Sequence, residues 1–379
     1  MPPFIRKALD VGDKLALLAS DSRYDLACSC GTREDEHRRR GSDDRWIYPA
    51  ALPDGRTTYL FKTLLSNACV NDCKYCPLRG GADARRCSLK PEELADIFLS
   101  YFKVGKVGGL FLSSAVEGSP DATMEKLNRA ALLLRRQQFR GYIHLKIIPG
   151  ASDEAIRQSV ALASAVSLNI ETPGAHNFKH MCATKDYARD IVRPINLISR
   201  LTAKGSRFAR VKQTTQFVVG ASSETDREII DACATLYKKL SLQRIYFSAY
   251  QRGAGAESLP GERSNEDNAA MLMREHRLYQ VDWLLRKYGF EASEIPVGAD
   301  GRLSLALDPK EAWARAHPEF FPVNVNCDDR SRLLRVPGLG QTFISRILAF
   351  RRNRSRISSL ADVARPTKLL RRAEGYVTF

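Results

Sequence analysis

The sequence has no apolar run that approaches the roughly 18 residues needed to span a membrane. Its start, MPPFIRKALD, lacks the apolar core of a secretory signal peptide. Cysteine is sparse as well, because nine residues in 379 are too few for a disulfide-stapled secreted scaffold. These absences predict a cytoplasmic protein with no membrane partner, whose clustered cysteines serve metal or redox chemistry.

Acidic residues are in deficit. The chain has 43 Asp and Glu against 59 Lys and Arg, which gives a net charge of +16. Residues 330–379 hold twelve Lys and Arg but only two Asp and Glu, so they carry +10 of that charge. Concentrated positive charge favours binding to a polyanion such as nucleic acid. The alternative is a basic surface without a specific partner.

Short apolar strand candidates alternate with helix candidates between Thr57 and Tyr250. The strands are predicted at 58–65, 109–113, 142–148, 165–170, 213–219 and 244–249, and the helices near 91–104, 121–138, 152–164, 186–203 and 223–240. Such βα units predict an α/β fold with a partial barrel of six parallel strands. In barrels of this kind the functional residues lie at the carboxyl ends of the strands.

The rest of the chain divides by composition. We predict an N-terminal extension at 1–50, the barrel at 51–255, a helical and irregular linker region at 256–324 and a small all-α module at 325–379. A length of 379 residues fits one large domain and a smaller one.

Three cysteines follow the first strand candidate. Cys69, Cys73 and Cys76 have the spacing C-x3-C-x2-C in the segment CVNDCKYC. Three thiolates on one loop can hold three irons of a cubane [4Fe–4S] cluster and leave the fourth iron open. A structural zinc site is closed by four ligands. No fourth Cys or His lies at short spacing, so zinc would need a distant ligand; unrelated cysteines are the other alternative.

This segment resembles the signature loop of the radical S-adenosylmethionine (SAM) superfamily, including the aromatic Tyr75 before the last cysteine. The resemblance implies a partial (β/α)6 barrel of radical SAM type and a [4Fe–4S] cluster whose open iron binds SAM. One electron, from a donor such as flavodoxin or ferredoxin, would cleave the sulfonium of SAM to methionine and a 5′-deoxyadenosyl radical. The protein would orient the cofactors and exclude water.

The resemblance also implies contacts with SAM at the strand ends. A segment after the second strand would meet the methionine amino group, polar residues after the fourth would meet ribose and carboxylate groups, and a glycine after the fifth would approach the adenine. The predicted cofactor-binding residues are Tyr75, Ser113, Ser114, Asn169, Glu171, Gly220, Tyr246 and Ser248. For each residue the alternative is an ordinary side chain of the barrel core.

Three further residues are candidates for substrate or radical chemistry. His144 and Lys146 alternate on the third strand, so both point to one face of the sheet, and Tyr250 follows the sixth strand. If that face is the barrel interior, His144 and Lys146 are catalytic candidates. The alternative is an outward-facing pair covered by helices.

The tail contains the turn Pro337–Gly340, followed by an apolar helix pattern. This segment resembles a helix-hairpin-helix motif, in which exposed backbone N–H groups and the helix dipole bind a phosphate. The predicted nucleic-acid-binding residues are Arg335, Gly338, Leu339, Gly340, Arg346, Arg351 and Arg352. A helical hairpin used only for packing is the alternative.

Nearly the full chain resembles a bacterial group described as DNA modification or repair radical SAM proteins. The segments that carry this resemblance include the cysteine loop, FLSS, YIHLKIIPGAS, LNIETP and HPEFFPVNVN. It implies a nucleic-acid substrate, with DNA favoured over RNA. An RNA-modifying radical enzyme and a non-catalytic iron–sulfur protein that binds nucleic acid are the alternatives. Minor ones are a metal at His176, His180 and Cys182, and a second cluster at Cys28, Cys30 and Cys87.

Overall fold

The computed structural model describes residues 9–22, 46–51, 56–240, 242–353 and 356–379. The helices are α1 (Val11–Asp21), α2 (Pro91–Lys103), α3 (Pro120–Arg136), α4 (Asp153–Leu162), α5 (Ala175–Met181), α6 (Arg193–Thr202), α7 (Asp226–Lys239), α8 (Pro260–Arg263), α9 (Asn268–Lys287), α10 (Pro309–Ala316), α11 (Arg330–Arg335), α12 (Gln341–Arg352) and α13 (Lys368–Glu374). The strands are β1 (Ile47–Ala51), β2 (Thr57–Leu64), β3 (Gly109–Ser113), β4 (Tyr142–Lys146), β5 (Ala165–Ser167), β6 (Lys212–Val219), β7 (Leu242–Ala249), β8 (Val323–Asn324) and β9 (Val377–Thr378). A π-helix spans Tyr187–Val192, and short 3-10 helices lie at Ala292–Glu294, Pro318–Phe320 and Leu360–Asp362. Cys28 and Cys30 lie outside the described residues.

The first seven strands form one sheet in the order β1-β2-β3-β4-β5-β6-β7. Strands β2 to β7 are parallel, each paired with the next in sequence, which confirms the predicted parallel half-barrel. Such parallel strands are joined by helical crossovers, and five of the six expected strands both begin and end within two residues of the predicted bounds. The exception is β5, which ends at Ser167.

Strand β1 was not expected from the sequence. It pairs antiparallel with β2, in the register Ile47↔Phe61, and lies at the end of the strand order. Pro49 interrupts its apolar run and hides the strand pattern. Proline is tolerated there because an edge strand does not need every N–H group for its ladder.

The helices that follow β2, β3 and β4 pack side by side, with α3 between α2 and α4. Helix α3 is capped by the Ser119 side chain, which accepts from the Ala122 N–H at 3.1 Å. Asp121 accepts the backbone N–H of Ser152 at 2.7 Å, which ties the start of α3 to the start of α4.

The chain forms two compact units. One comprises Met1–Glu224 with Thr235–Leu272, and the other comprises Thr225–Ala234 with Met273–Phe379. The four-part division from the sequence stays a prediction. No helix in the described parts of the chain is long and apolar enough to cross a membrane.

The end of the second unit packs around an apolar cluster that includes Leu333, Leu339, Ile344 and Ile347. Helices α11 and α12 meet at the turn Pro337–Gly340. The expected all-α module is wrong in one respect, because β8 and β9 pair in parallel, with Val323 opposite Val377. Two-residue strands more than 50 positions apart leave no periodic pattern in the sequence.

Candidate active site

A cavity of roughly 850 Å³ lies in the first unit at the carboxyl ends of the parallel strands. Each of β2, β3, β4, β6 and β7 contributes a side chain near its last residue. These residues are Leu64, Ser113, Lys146, Val218 and Ser248. Because strands from β2 to β7, at opposite sides of the parallel sheet, line one cavity, the sheet curves around it, as expected for a half-barrel.

The loop after β2 brings Cys69, Cys73 and Cys76 onto the cavity wall. Backbone hydrogen bonds shape this loop without a ligand: the Cys76 N–H donates to the Cys73 carbonyl at 2.9 Å and the Gly80 N–H donates to the Asn71 carbonyl at 2.6 Å. Cys73 is buried, and the other two thiols are half-buried. The predicted trio is therefore assembled on one wall of this cavity.

Two groups from a distant segment contact Cys73. The Lys185 ammonium donates to the Cys73 sulfur at 3.0 Å, and the Cys182 sulfur lies 3.8 Å from it. Contact with Cys182 and the positive charge of Lys185 lower the pKa of Cys73 against the effect of burial. Burial raises the pKa of Cys76 to about 12. Of Cys73 and Cys76, Cys73 is therefore the thiol that ionises more readily.

The segment that carries Lys185 is fastened to the cysteine loop by Asp72. Its carboxylate accepts the Thr184 hydroxyl at 2.7 Å and the backbone N–H groups of Ala183 and Thr184 at 3.1 Å. The Cys182 sulfur lies 3.1 Å from the same carboxylate. These bonds hold the pKa of Asp72 at about 2, although burial opposes the shift.

Glu171 faces the cysteine loop from the far end of β5. Burial raises its pKa to about 7, while Lys146 and Lys185 act in the opposite direction. Burial also raises the pKa of Tyr75, so its hydroxyl stays protonated and donates to the Glu171 carboxylate. The φ angle of Glu171 is 66°, a left-handed conformation that costs free energy for a residue with a side chain.

Two buried acceptors in this cavity have no hydrogen-bond partner among the described residues. They are Oδ1 of Asn169 and Oε2 of Glu171. A buried acceptor without a donor costs roughly 1–3 kcal/mol, so both atoms fit a ligand that brings donors. SAM has such donors in its ammonium and ribose hydroxyl groups. The three thiols and these acceptors therefore fit both a cluster and SAM.

The zinc alternative receives no support from the geometry. Within the described parts of the chain, no three Cys, His, Asp or Glu side chains converge on a point where one metal ion could bind. A cubane cluster does not need such convergence, because each thiolate binds a different iron. The rings of His176 and His180 contact each other at 5.3 Å, while Cys182 contacts Asp72 instead.

Three residues proposed for the site lie outside the cavity lining. Gly220 turns the chain after β6 and donates its N–H to Glu224. Tyr246 lies two residues before Ser248, and the Arg244 guanidinium stacks on its ring at 5.0 Å. His144 lies two residues before Lys146 on the same face, where its ring packs at a tilt against the ring of Phe111, with 4.4 Å between the ring centroids.

His144 and Lys146 share the interior face, because Lys146 lines the cavity and residues two apart on a strand point to the same side. The His144 ring contacts Ser167 Oγ at 2.8 Å, so it belongs to the deeper packing layer of the barrel. Lys146 reaches the cavity. Tyr250 lines the cavity with its ring, but its hydroxyl donates to Glu262, which also accepts the Gly253 and Gly255 N–H groups. That bond orders the loop after β7.

The cavity also contains side chains that the sequence analysis missed. Lys185, Gln216, Asn71 and Gln251 line it. Gln216 alternates with Val218 on β6, so strand periodicity could have identified it. Lys185 lies in an irregular segment that offers no such signal.

The tail residues fall into two groups. Arg335 donates to Glu294 at 2.6 Å and stacks on Phe290 at 3.8 Å, and Arg351 donates to the Val325 and Asp328 carbonyls at 2.6 Å. Both are half-buried and bonded to groups of their own unit. Arg346 and Arg352 are exposed.

Part of the turn Pro337–Gly340 packs against other residues of the second unit. Leu339 is buried, and its carbonyl accepts from the Lys310 ammonium at 2.7 Å. A Cβ at Gly338, whose φ is 84°, would clash with the Leu369 carbonyl. At Gly340 the one described residue that a Cβ would approach is Tyr288, whose hydroxyl would lie 3.7 Å away.

Comparison with solved structures finds distant likenesses. Two are the [FeFe]-hydrogenase maturase HydG, at 13% identity over 58% of this chain and 48% of that chain, and HydG from Carboxydothermus hydrogenoformans, at 16% over 57% and 50%. A third is methylornithine synthase (PylB), at 15% over 72% and 77%, and the TM-score is 0.44 in each case. The chain spans about half the length of the HydG chains. No protein-family model and no curated protein matches. Likeness this weak decides neither fold nor function, which rest on the contacts within the chain.

Proposed function

We propose that this chain is a radical SAM enzyme. One observation carries the proposal: three cysteines with the C-x3-C-x2-C spacing line a half-barrel cavity that also holds two unpartnered buried acceptors. When bound, a [4Fe–4S] cluster would supply one electron to the sulfonium of SAM. Cys69, Cys73 and Cys76 would hold three of its irons.

The remaining side chains bind and orient the second cofactor. Asn169 Oδ1 and Glu171 Oε2 would accept hydrogen bonds from the ammonium or ribose hydroxyl groups of SAM. Both buried acceptors would then have a donor. Lys185 is held against the cysteine loop, where its positive charge would pair with the carboxylate of SAM. Lys146 and Gln216, further along the wall, are left to face a substrate.

A cluster-loading experiment tests this assignment. Anaerobic reconstitution should give about four irons per chain. The reduced protein should have an electron paramagnetic resonance signal that changes when SAM is added. Single Ala substitutions at Cys69, Cys73 and Cys76 should lose the signal, while Cys327→Ala, at an exposed cysteine in the other unit, should keep it. A cluster that persists in Cys73→Ala would contradict the assignment.

We also propose that the substrate is a nucleic acid, with DNA favoured over RNA, and that α11, the turn and α12 act as a helix-hairpin-helix phosphate site. The support is the charge of residues 330–379 and the exposure of Arg346 and Arg352. The partner for reduction would be a one-electron donor such as flavodoxin or ferredoxin, in the cytoplasm.

A packing role for this hairpin is the second candidate. It is favoured by the internal bonds of Arg335 and by the close approach of Gly338 to Leu369. The two roles separate when DNA and RNA binding is measured against salt concentration in Arg346→Glu and Arg352→Glu. A phosphate site predicts weaker binding and a shallower salt dependence, and a packing hairpin predicts no change. Gly338 is unsuitable for this test, since a side chain there would disturb the fold.

A further inference from the structure

The cysteine loop contains little regular structure, yet its shape is defined before any cofactor binds. Residues 67–82 form turns and irregular backbone between the end of β2 and the segment that leads to α2. Carbonyl groups in such a segment need donors, and N–H groups of the loop itself serve some of them. In this chain one side chain donates to four of these carbonyl groups.

That side chain is Arg86. One terminal nitrogen of its guanidinium donates to the Asn67 carbonyl at 2.6 Å and to the Leu78 carbonyl at 2.9 Å. The other donates to the Arg79 carbonyl at 2.9 Å and to the Ala82 carbonyl at 3.1 Å. Asn67 precedes Cys69, whereas the other three carbonyls follow Cys76. Arg86 therefore joins the entry and the exit of the loop.

The neighbouring contacts fix Arg86 itself. The Asn67 side chain accepts the Cys87 N–H at 2.7 Å and donates to the Arg85 carbonyl at 2.8 Å. It also donates to Asp21, at the end of α1, at 2.7 Å. The backbone on both sides of Arg86 is thus anchored to the start of the loop. Only a planar fork with several N–H groups can serve four carbonyls in this way, and a lysine cannot.

We propose that Arg86 is a positioning residue for the cluster: it holds the cysteine loop in a form ready to bind iron. The expected consequence is faster and more complete cluster assembly, and this part rests on the proposed function. Its structural part does not depend on that function, because the contacts exist in the protein without a cofactor. Arg86 acts through the loop backbone and touches none of the three thiols.

The test compares Arg86→Lys and Arg86→Ala with wild type and with Arg85→Ala. Arg85 is an exposed neighbour of the same charge and is the matched control. Hydrogen exchange of the cofactor-free protein is read for residues 67–82 and, as a measure of the whole fold, for α3. Iron uptake is then followed at limiting ferrous iron and sulfide. Millimolar guanidinium is added to Arg86→Ala to replace the missing group.

We expect exchange in residues 67–82 to rise about tenfold or more in both Arg86 variants, with α3 unchanged, because several charge-assisted hydrogen bonds are lost. Iron uptake should slow in both variants, recover in Arg86→Ala with guanidinium, and stay normal in Arg85→Ala. Equal loop protection in all variants would overturn the proposal. So would faster exchange in α3, which would make Arg86 a general stability residue. If the loop behaves as expected but wild type takes up no cluster, the proposed function fails and the positioning of the loop stands.

Discussion

Replacing Glu171 by Gln should make the first unit more stable at alkaline pH. Burial raises the pKa of this carboxyl from its ordinary 4.5 to about 7. The folded protein therefore keeps a proton that the unfolded chain releases, so stability falls as pH rises from 4.5 through 7. At about 1.36 kcal/mol per pKa unit, the full loss is roughly 3 kcal/mol, of which about 2.5 kcal/mol falls between pH 5 and pH 8. Gln is uncharged and does not incur this loss.

The assay is urea unfolding of the cofactor-free protein at pH 5 and pH 8, with hydrogen exchange of α3 as the probe of the first unit. Wild type should lose stability between the two pH values, and Glu171→Gln should lose about 2–3 kcal/mol less. Glu117→Gln is a control of opposite sign: although burial opposes it, hydrogen bonds from Lys126 and Ser88 lower the pKa of Glu117. Because that stabilisation is nearly complete above the ordinary pKa of 4.5, this variant should trail wild type by almost the same amount at pH 5 and at pH 8. The same pH dependence in wild type and Glu171→Gln would refute the reasoning.

Other predictions concern the second unit, with Gly81 of the first unit as a comparison. Arg335→Ala should lower the free energy of unfolding of the second unit by about 2–4 kcal/mol, because Glu294 loses its ion-pair partner and Phe290 loses its stacked guanidinium. A loss below about 0.5 kcal/mol in urea unfolding would contradict this. The double variant Arg346→Ala, Arg352→Ala should unfold like wild type but lower the slope of log affinity against log salt by about 2 on duplex DNA, and an unchanged slope would exclude both residues from phosphate contact. Gly338→Ala should destabilise its unit by more than about 2 kcal/mol, whereas Gly81→Ala, with φ 81° but open space at its Cβ position, should cost only about 1 kcal/mol of backbone strain. Equal losses in thermal unfolding would contradict the clash at Gly338.

The parallel half-barrel could be predicted because its signals are local. An apolar strand such as β3 was expected at 109–113 and is found at Gly109–Ser113. Strand β5 was expected to reach Ile170 but ends at Ser167, because the chain turns toward the left-handed conformation of Glu171. That conformation is stabilised by tertiary hydrogen bonds, from the Glu171 N–H to Gln216 and from the Val218 N–H to Glu171. Sequence periodicity contains no trace of such bonds.

The site divides in the same way. The spacing of Cys69, Cys73 and Cys76 is a local pattern, so the trio could be identified directly. Lys185 approaches Cys73 from more than 100 residues away, held by hydrogen bonds to Asp72, and no local pattern indicates it. The same limit applies to the tail, where Arg335 looked like a surface cation but is bound internally to Glu294.

The most direct test of the central claim is formation of 5′-deoxyadenosine. Reconstituted wild-type protein, kept anaerobic with dithionite and SAM, should release this product, measured by mass spectrometry. Cys73→Ala treated in the same way should release none, and Cys327→Ala should match wild type. Wild-type protein that carries a full cluster but forms no 5′-deoxyadenosine above the Cys73→Ala background would contradict the assignment as a radical SAM enzyme.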